Sequence, residues 1–593
     1  MSKEQKAIIK EAFDKAEEIG VIGSPSSTAS LSLDILGTAV DKRLVGNLCV
    51  FSYLQNNLDH YALGQIIEVG MRNVWAEDPT MRSLIRQRGS VEPVTERQDY
   101  HFAKMNVSSV FGIGNKAEPS MLGTVPSTGT PIRIMDERIL DSLLSSIEGD
   151  QFYLGRAYGS KIKLPMWLKH FGSGINGAGE AYHIGIFGKT GSGKSSLAKM
   201  LILGYAKNPE MSIIVLDPQG QYAMELPAQR TQFTAIGKEL KVFHLNQLVL
   251  DDGELFNKIL ARSNFWEGMV RSIEYRINAG RILQELLKNL PKQITLDGTV
   301  RDMSLFNFYD KDVFRMIWEN VIKSEQFQKR VYSKQFAIEL QNTVETANWE
   351  EYYERWIKVA SLFTWKNRPG KAIVLKKLIE EEAFPDSGPG PVIIIDISKE
   401  NAPPGVLWDD QIQALAVKRL LDKITEKAQL FYKEKKSLNT LIVIDEAHRF
   451  APREKLDDES LDQVKKTLVD AIKTTRKYGL GWMFISQTLS SLDWDIINQT
   501  RIYFFGYGLA LGVERQALLN IIGGAEEAFN LYQLFKDPQS NLGKKEFSFM
   551  VIGPISPLSF SGLPLFFTAL DFPNEFLKEN FDNNTKTGND LKV

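Results

Sequence analysis

The sequence predicts an α/β protein, with a parallel sheet covered by helices, a small β domain before it and an all-α insertion within it. Three patterns support this fold class. A short apolar strand at residues 184–187 is followed by a glycine-rich loop, a helical pattern and a second apolar strand at residues 212–216. A strand–helix–strand unit of this kind begins a parallel sheet. Strand-like runs separated by Gly, Asn and Pro occupy residues 33–165, and an aromatic-rich helical pattern occupies residues 251–384.

The composition excludes several classes of protein. The 593 residues are 43% hydrophobic and 24% charged, which is ordinary for a globular chain and excludes a collagenous, disordered or disulfide-scaffold protein. A formal charge of −2 excludes a uniformly basic surface, although a local basic channel remains compatible with it. The single cysteine, Cys49, cannot form an internal disulfide. Because no apolar run approaches the roughly 20 residues of a membrane span, and no apolar signal segment opens the chain, we expect a cytoplasmic protein.

Changes in composition divide the chain into six predicted segments. They are 1–30, an N-terminal helix and linker; 31–165, a β-barrel-like domain; 166–250, the first part of the α/β core; 251–384, the helical insertion; 385–572, the second part of the core; and 573–593, a polar C-terminal tail. Short strands with irregular turns favour a small barrel or sandwich for the β domain. In the second part of the core, strands at 391–398, 441–445 and 481–486 alternate with helical patterns, so the parallel sheet is expected to resume there.

The strongest chemical signal is the loop between the first core strand and the following helix. It reads Gly188-Lys189-Thr190-Gly191-Ser192-Gly193-Lys194-Ser195 and fits the pattern G-x-x-x-x-G-K-[ST] of phosphate-binding loops. In such loops the glycines turn backbone N–H groups towards the phosphates of ATP, and the helix N-terminus favours their negative charge. We expect Lys194 to reach the β- and γ-phosphates and the Ser195 hydroxyl to ligate Mg²⁺, with Ser196 next to them. The alternative is a glycine-rich turn with an incidental lysine.

A second signal is the apolar strand at residues 441–444, which delivers Asp445 and Glu446 at its C-terminal end. Ligands of open α/β sheets bind at that edge. We expect Asp445 to hold Mg²⁺, directly or through water, and Glu446 to polarise the water that attacks the γ-phosphate. The alternative is a plain strand end with solvated acids.

Three further features have both a chemical and a structural interpretation. Gln487, at the end of the strand 481–486, can sense the γ-phosphate through the attacking water or simply cap the strand. Arg476 and Lys477 end the preceding helical pattern, where a cation also interacts favourably with the helix dipole. The turn at residues 217–222, Asp-Pro-Gln-Gly-Gln-Tyr, is either part of the site or an ordinary Pro/Gly turn.

The order of these motifs resembles that of the HerA family of hexameric DNA translocases, in the FtsK–HerA group of RecA-like ATPases. The N-terminal β domain is similar to the HAS barrel of that family, and the turn at 217–222 is similar to its Asp-Pro-x-Gly-Glu-Tyr. The most specific match is Arg476-Lys477-Tyr478-Gly479 before the strand that ends in Gln487. Gln221 departs from the family's glutamate, and FtsK itself carries membrane segments that this chain lacks.

The resemblance implies a RecA-like core that binds ATP and Mg²⁺ between the subunits of a homohexamer. It assigns Lys194 and Ser195 to phosphate and metal, Asp445 and Glu446 to metal and water, and Gln487 to the sensor position. Arg476 becomes the arginine finger offered to the neighbouring subunit. Double-stranded DNA would pass through the central channel, and an effector would dock on the barrel. That effector is a NurA nuclease in archaeal DNA-end resection, or a nuclease or sirtuin-type NADase in bacterial antiphage defence, which we favour here.

Three functions therefore stay open. The chain is a DNA-translocating motor that feeds or activates an effector, a hexameric scaffold whose ATP site assembles and gates the effector with little translocation, or a remodelling ATPase that acts on polypeptide. DNA-stimulated ATP hydrolysis distinguishes the first from the other two.

Overall fold

The structure is a computed structural model that describes residues 3–91, 95, 98–145, 151–174, 176–291, 293–296, 299–302, 304–366, 368–384, 388–455, 459–523, 526–540, 543–559 and 562–582. The chain divides into two compact units. The first unit combines residues 1–208 with residues 482–593, and the second unit is the continuous stretch 209–481.

The strands are, in chain order, β1 (Glu18–Ile22), β2 (Leu31–Ile35), β3 (Leu48–Gln55), β4 (Leu58–Arg72), β5 (Tyr100–Ile113), β6 (Ala117–Ser120), β7 (Pro131–Ile134), β8 (Phe152–Ala157), β9 (Lys163–Met166), β10 (His183–Phe187) and β11 (Ser212–Asp217). They continue with β12 (Leu240–His244), β13 (Leu248–Val249), β14 (Gln293–Leu296), β15 (Thr299–Asp302), β16 (Ile373–Val374), β17 (Val392–Asp396), β18 (Thr440–Ile444), β19 (Leu480–Ser486), β20 (Ile502–Phe505), β21 (Ser548–Ile552) and β22 (Leu565–Ala569).

The helices are α1 (Lys3–Lys15), α2 (Val74–Glu77), α3 (Pro79–Arg88), α4 (Glu137–Leu144), α5 (Lys194–Ala206), α6 (Gln221–Glu225), α7 (Arg230–Ala235), α8 (Gly253–Arg262), α9 (Ile273–Leu287) and α10 (Lys311–Ile317). They continue with α11 (Glu325–Val331), α12 (Lys334–Thr346), α13 (Trp349–Ala360), α14 (Leu375–Lys377), α15 (Asp410–Lys433), α16 (Glu459–Thr475), α17 (Trp494–Gln499), α18 (Gly512–Ile521), α19 (Glu526–Gln533) and α20 (Asn574–Phe581). Within the described ranges, no helix has both the length and the apolar character that crossing a membrane requires.

Six strands of the first unit close into an antiparallel barrel. The pairing runs from β1 through β2, β5, β4, β3 and β7 and returns to β1. Alternate residues of each strand point inward, and the interior is filled by apolar side chains such as those of Leu33, Phe51 and Met105. The predicted fold class, an α/β chain with an N-terminal β-barrel, is confirmed.

The barrel strands begin and end earlier than the predicted segment 31–165. β1 lies inside the segment predicted as helix and linker, because its residues pair with both β2 and β7. β8 and β9, which fall inside the predicted barrel segment, instead pair with each other and with β22. Those two strands therefore belong to the sheet that follows the barrel.

The sheet of the first unit combines parallel and antiparallel strands. β10 lies between β19 and β20 and runs parallel to both. β21, β22, β8 and β9 extend the sheet in antiparallel order. Because parallel strands end at the same edge, the loop after β10 and the residue after β19 lie side by side.

Gln65 connects the barrel to this sheet. The side chain is buried on β4, and its Nε2 donates to the carbonyl oxygens of Gly46 at 3.0 Å and Phe566 at 2.9 Å. Its Oε1 accepts from the N–H of Phe566 at 2.8 Å. The carboxamide thus pairs with β22 in the way a neighbouring strand residue would, which satisfies its polar atoms in the interior.

The C-terminal segment differs from the predicted polar tail 573–593. Residues 574–581 form helix α20, whose Phe576 is fully buried against the ring of Phe152. Asn580 accepts from the N–H of Tyr153 at 2.8 Å and donates to its carbonyl oxygen at 2.9 Å. These contacts fold the segment onto β8, whereas its polar composition suggested a solvated tail. Residues 583–593 lie outside the described residues.

The second unit contains a four-stranded parallel sheet in the order β12–β17–β11–β18. Its central strands are apolar and completely buried, as expected for a sheet with helices on both faces. Within the predicted insertion 251–384, the helices from α8 to α14 enclose a core of aromatic side chains. Trp266, Trp318 and Trp356 are fully buried there, so the aromatic pattern of the insertion forms a core.

Candidate phosphate-binding loop and carboxylate edge

The glycine-rich loop occupies the turn between β10 and α5 in the first unit. The Lys189 N–H donates to the carbonyl oxygen of Tyr507 at 3.0 Å, and the Ser192 N–H donates to that of Lys189 at 3.1 Å. Helix α5 begins directly after the loop, and the Leu197 N–H donates to the Gly193 carbonyl oxygen at 3.0 Å. The backbone hydrogen bonds therefore define the loop at both ends.

Two glycines of this loop are required by its geometry. Gly193 has φ of +92°, and a Cβ there would lie 2.6 Å from the ring of Phe547. Gly188 has φ of +154°, and a Cβ there would lie 2.7 Å from the Ser192 hydroxyl. Since L residues rarely adopt this backbone region, the loop shape depends on glycine at these positions.

Lys194, the first residue of α5, turns its ammonium group back over the loop. Its Nζ donates to the carbonyl oxygens of Gly188 at 2.6 Å and Lys189 at 3.1 Å. Ser195 and Ser196 follow it in the first turn of the helix and are half-buried. A cation, two hydroxyls and a helix N-terminus thus converge where an anion would be stabilised.

The structure brings Gln487 next to this loop. Phe187 pairs with Ser486 in the parallel register of β10 and β19, so Gly188 and Gln487 follow at the same edge. The Thr190 hydroxyl donates to Gln487 Oε1 at 3.0 Å. This proximity follows from strand order, and Thr190 is one of the loop residues that the motif predicts.

In the second unit, Asp445 and Glu446 follow β18 at the C-terminal edge of its sheet. Both are buried, with 4% and 8% of their surface exposed. Glu446 has φ of +47°, which is uncommon for a residue other than glycine and costs about 1–2 kcal/mol. The Glu446 N–H donates to Asp445 Oδ1 at 3.0 Å. The turn therefore fixes the Asp445 carboxylate relative to the backbone of Glu446.

Gln219 is a contact of Glu446 that sequence reasoning missed. Its Nε2 donates to Glu446 Oε1 at 3.3 Å, and His448 Nδ1 lies 3.4 Å from Glu446 Oε2. Gln219 belongs to the turn after β11, which pairs with β18. The turn is recognisable in the sequence, where Gln221 occupies the position of the family's glutamate, but Gln221 Nε2 instead donates to Glu225 Oε1 at 3.0 Å.

Two fully buried aspartates lie beside this turn. Asp217 and Asp396 are paired residues of β11 and β17. Burial, with a smaller contribution from the negative charge of Asp396, raises the pKa of Asp217 to about 6, while backbone N–H groups oppose the shift. Asp217 Oδ2 accepts from the Ala223 N–H at 2.9 Å. Asp396 Oδ2 accepts from Asn401 Nδ2 at 2.6 Å and lies 2.6 Å from His244 Nδ1.

A cavity of about 860 Å³ opens beside Gln219. Its lining combines apolar, amide and charged side chains of the second unit, among them Gln219, Trp408, Asp410, Gln413 and Arg449. Arg449 and Asp410 form an ion pair across it. The cavity gives solvent access to the turn that carries Gln219.

The two basic candidates lie at the other end of β19 from Gln487. Arg476 and Lys477 form a 3₁₀ turn between α16 and β19, and both are exposed. The Lys477 ammonium lies over the rings of Tyr432 and Tyr478, at 5.7 and 5.2 Å from their centroids. Arg501, a further basic candidate at the start of β20, donates to Glu180 Oε1 at 2.6 Å.

Among the residues that the structure describes, no group of three or more His, Cys, Asp or Glu side chains is arranged to hold a metal ion alone.

Comparisons with known proteins find a family model that matches the segment containing the loop. Residues 181–293 match the model of the family described as "Helicase HerA, central domain", so the predicted resemblance to HerA proteins is confirmed over the stretch that contains the phosphate loop. No curated protein matches the sequence.

Solved structures give weaker likenesses. VirB4 of Thermoanaerobacter pseudethanolicus is 16% identical with a TM-score of 0.37, covering 72% of this chain and 98% of its own. The conjugation coupling protein TcpA of pCW3 is 10% identical with a TM-score of 0.29, covering 90% and 91%. The genome packaging NTPase B204 from Sulfolobus turreted icosahedral virus 2 is 11% identical with a TM-score of 0.27, covering 66% and 98%. TM-scores this low support no conclusion about function.

Proposed function

We propose that this protein is an ATPase of the HerA type that translocates double-stranded DNA as a homohexamer and works with a partner effector. The observation that carries the proposal is the phosphate loop Gly188–Ser195, formed between β10 and α5 inside the segment that matches the HerA central domain. Buried Asp445 and Glu446 at a strand end supply the second chemical element that such an enzyme needs.

The first unit would bind the nucleotide. Lys194 would exchange its two carbonyl acceptors for β- and γ-phosphate oxygens, which are stronger partners because they are charged. The backbone of Gly188–Gly193, with Ser195 and Ser196, would surround the phosphates. Ser195 and Asp445 are the proposed Mg²⁺ ligands because they carry oxygen donors, and Mg²⁺ typically takes one or two protein ligands and completes its shell with phosphate and water. When bound, the ion would neutralise charge on the phosphates.

The second unit would supply the group that activates water. Glu446 would accept a hydrogen bond from the attacking water, orient it towards the γ-phosphorus and take its proton as the phosphoryl group leaves ADP. Gln487, beside the loop through Thr190, would orient the same water or report on the γ-phosphate. Phosphoryl transfer relies on positioning and charge stabilisation, so each of these groups is expected to affect turnover more than folding.

Arg476 is proposed to act on the neighbouring subunit. Seven strand residues separate its 3₁₀ turn from the C-terminal edge where Gln487 lies, a span of about 23 Å at 3.3 Å per residue. An arginine finger supplied in trans raises turnover by about 10³–10⁵ in other ATPases and GTPases. Mixed rings of Arg476→Ala and Lys194→Ala subunits should regain turnover that neither variant has alone. If Arg476→Ala keeps normal turnover, Arg501 becomes the candidate.

An effector partner is proposed to dock on the barrel. The exposed apolar side chains of the barrel include Leu54 and Leu58, which flank the turn between β3 and β4, and Met121. The Gln55 amide donates to the Met121 carbonyl oxygen at 3.2 Å, which holds the backbone of Met121 beside this turn. A truncated chain that lacks the barrel and tests this docking should start near residue 151, so that β8 and β9 are kept and can still pair with β22. A nuclease and a sirtuin-type NADase are the two effector classes to assay, in antiphage defence or DNA-end resection.

The decisive experiment measures ATP binding and hydrolysis in two variants. Lys194→Ala should lose nucleotide binding, whereas Glu446→Gln should bind ATP normally and lose at least about a hundredfold in turnover. Glu434→Gln, which changes an exposed carboxylate paired with Lys436, is the matched control and should behave as wild type. Wild-type turnover in Glu446→Gln would refute the assignment of this carboxylate.

The motor function is tested separately with DNA. Duplex DNA should stimulate hydrolysis, and binding should weaken steeply with salt and show little sequence preference, because a translocase contacts phosphates. Hydrolysis that is indifferent to DNA, with effector activity lost in Lys194→Ala, would favour the gating scaffold.

A further inference from the structure

We propose that Gln219 is a positioning residue for Glu446, which it holds through a hydrogen bond from its side-chain amide. The inference rests on the proposed function, in which Glu446 orients the attacking water. It adds a residue outside the phosphate loop and the strand-end carboxylates, and one whose neighbour in the same turn, Gln221, serves as an internal control.

The contact joins Gln219 Nε2 and Glu446 Oε1 at 3.3 Å. Glu446 needs such a contact because its backbone is in the left-handed region, with φ of +47°, so the direction of its side chain is not set by a regular strand or helix. Hydrogen bonds to the carboxylate must therefore select the orientation. An amide is a suited donor, since it directs the oxygen without placing a full positive charge beside it.

The turn that carries Gln219 is held firmly on its buried side. Asp217 Oδ2 accepts from the Ala223 N–H at 2.9 Å, which closes the turn. The side chain of buried Gln413 donates to the carbonyl oxygens of Pro218 at 3.4 Å and Ile397 at 2.8 Å. Gly220, with φ of +73°, approaches so closely that a Cβ there would lie 3.0 Å from the Ser398 hydroxyl. The backbone of Gln219 is thus fixed relative to β11 and β17.

On its other side Gln219 faces the cavity of about 860 Å³ and is exposed. Packing therefore does not force its amide towards Glu446, and the polar attraction between the two groups accounts for the contact. The same exposure means that truncating Gln219 leaves no internal void, so the change should not destabilise the fold. An effect on turnover could then be read as an effect on Glu446.

The test compares kcat and KM for ATP in Gln219→Ala and Gln219→Glu with Gln221→Ala and Gln221→Glu. A displacement of a catalytic group by about 1 Å can cost about a hundredfold, so Gln219→Ala should lower kcat about tenfold or more with KM within about twofold of wild type. Gln219→Glu keeps the size but places a second carboxylate next to Glu446, and should lower kcat further. The Gln221 variants should match wild type, because that amide contacts Glu225.

A side chain that merely fills space would give the opposite order, with the isosteric Gln219→Glu above Gln219→Ala. That order, an unchanged kcat, or a kcat raised by Gln219→Ala would overturn the proposal. The single variant Glu446→Gln distinguishes a failure of this proposal from a failure of the proposed function. If Glu446→Gln hydrolyses ATP like wild type, both fall. If Glu446→Gln is inactive and the Gln219 variants match the Gln221 variants, only the positioning role falls.

Discussion

The first unit joins distant chain segments with buried carboxamides, whereas the second unit orders its strand edge with buried carboxylates. Gln65 and Asn580 each offer a donor and an acceptor to one backbone residue, Phe566 and Tyr153 respectively. Asp217 and Asp396 can only accept when ionised, and they lie in paired positions of adjacent strands. A neutral amide satisfies a backbone N–H and C=O at any pH, while a buried carboxylate couples folding to protonation. The contrast predicts that the two units respond differently to mutation and to pH.

The largest effect is expected from Gln65→Leu. The variant keeps an apolar volume in the interior but removes the side-chain partner of the Phe566 N–H and of the Gly46 C=O, while the Phe566 C=O keeps its hydrogen bond from the Tyr158 N–H at 2.9 Å. Each buried group left unpaired costs about 1–3 kcal/mol, so the loss of partners for these two groups should cost the first unit about 2–6 kcal/mol of stability. Calorimetry should show a markedly lower Tm for this unit at every pH tested. Gln55→Leu, at a bond on the barrel surface, should change it little, and equal effects would contradict the role of burial.

An intermediate effect, and the only one of the three that depends on pH, is expected from Asp217→Asn. Burial raises the pKa of Asp217 in the folded state to about 6, above the ordinary 3.8 of an exposed aspartate, so the folded state holds the proton more tightly. The tighter binding of this proton stabilises the folded state by on the order of 3 kcal/mol below about pH 4, and the stabilisation is lost as the pH rises to about 6.

The measurement is the difference in Tm between wild type and Asp217→Asn from pH 4 to pH 7. Wild type should lose stability relative to the variant as the pH rises, and the difference should level off above about pH 6. Glu434→Gln provides the control for an exposed acid. A difference that stays constant with pH would show that burial does not shift the proton affinity of Asp217.

The smallest effect of the three is expected from Asn580→Leu. The N–H and C=O of Tyr153, at one end of β8, lose the Asn580 carboxamide as their partner. Water can replace it at this surface more easily when α20 loosens. We expect a loss of about 1–3 kcal/mol that does not vary with pH, and an earlier cleavage of the C-terminal helix in limited proteolysis. Asn574→Leu, at an exposed first residue of the same helix, should not change the cleavage pattern.

Local patterns predicted the parts of the site that depend on neighbouring residues. The phosphate loop was visible because its glycines, Lys194 and Ser195 lie within eight residues, and the strands that precede it and Asp445 are apolar runs of recognisable length. The structure places β10 at 183–187 and β18 at 440–444, each within one residue of the predicted strand.

The contacts that sequence reasoning missed depend on which strands become neighbours. Gln219 reaches Glu446 because β11 and β18 are adjacent, although 227 positions separate the two residues. β8 and β9 looked like barrel strands because short antiparallel strands have the same alternation wherever they pair. α20 resembled a tail because its polar residues outnumber the apolar ones, and burial of Phe576 and Asn580 follows only from the presence of β8.

The pairing of β8 and β9 with β22 also bears on the order in which the protein can fold during its synthesis. β9 ends at Met166 and β22 begins at Leu565, so the ribosome must add about four hundred residues before the sheet of the first unit can be completed. At 5–20 residues per second this takes about 20–80 s. The second unit, residues 209–481, emerges whole within that interval. The unit encoded in the middle of the chain can therefore fold first. The strand before the phosphate loop, β10, cannot pair with β19 and β20 until those later strands have been translated.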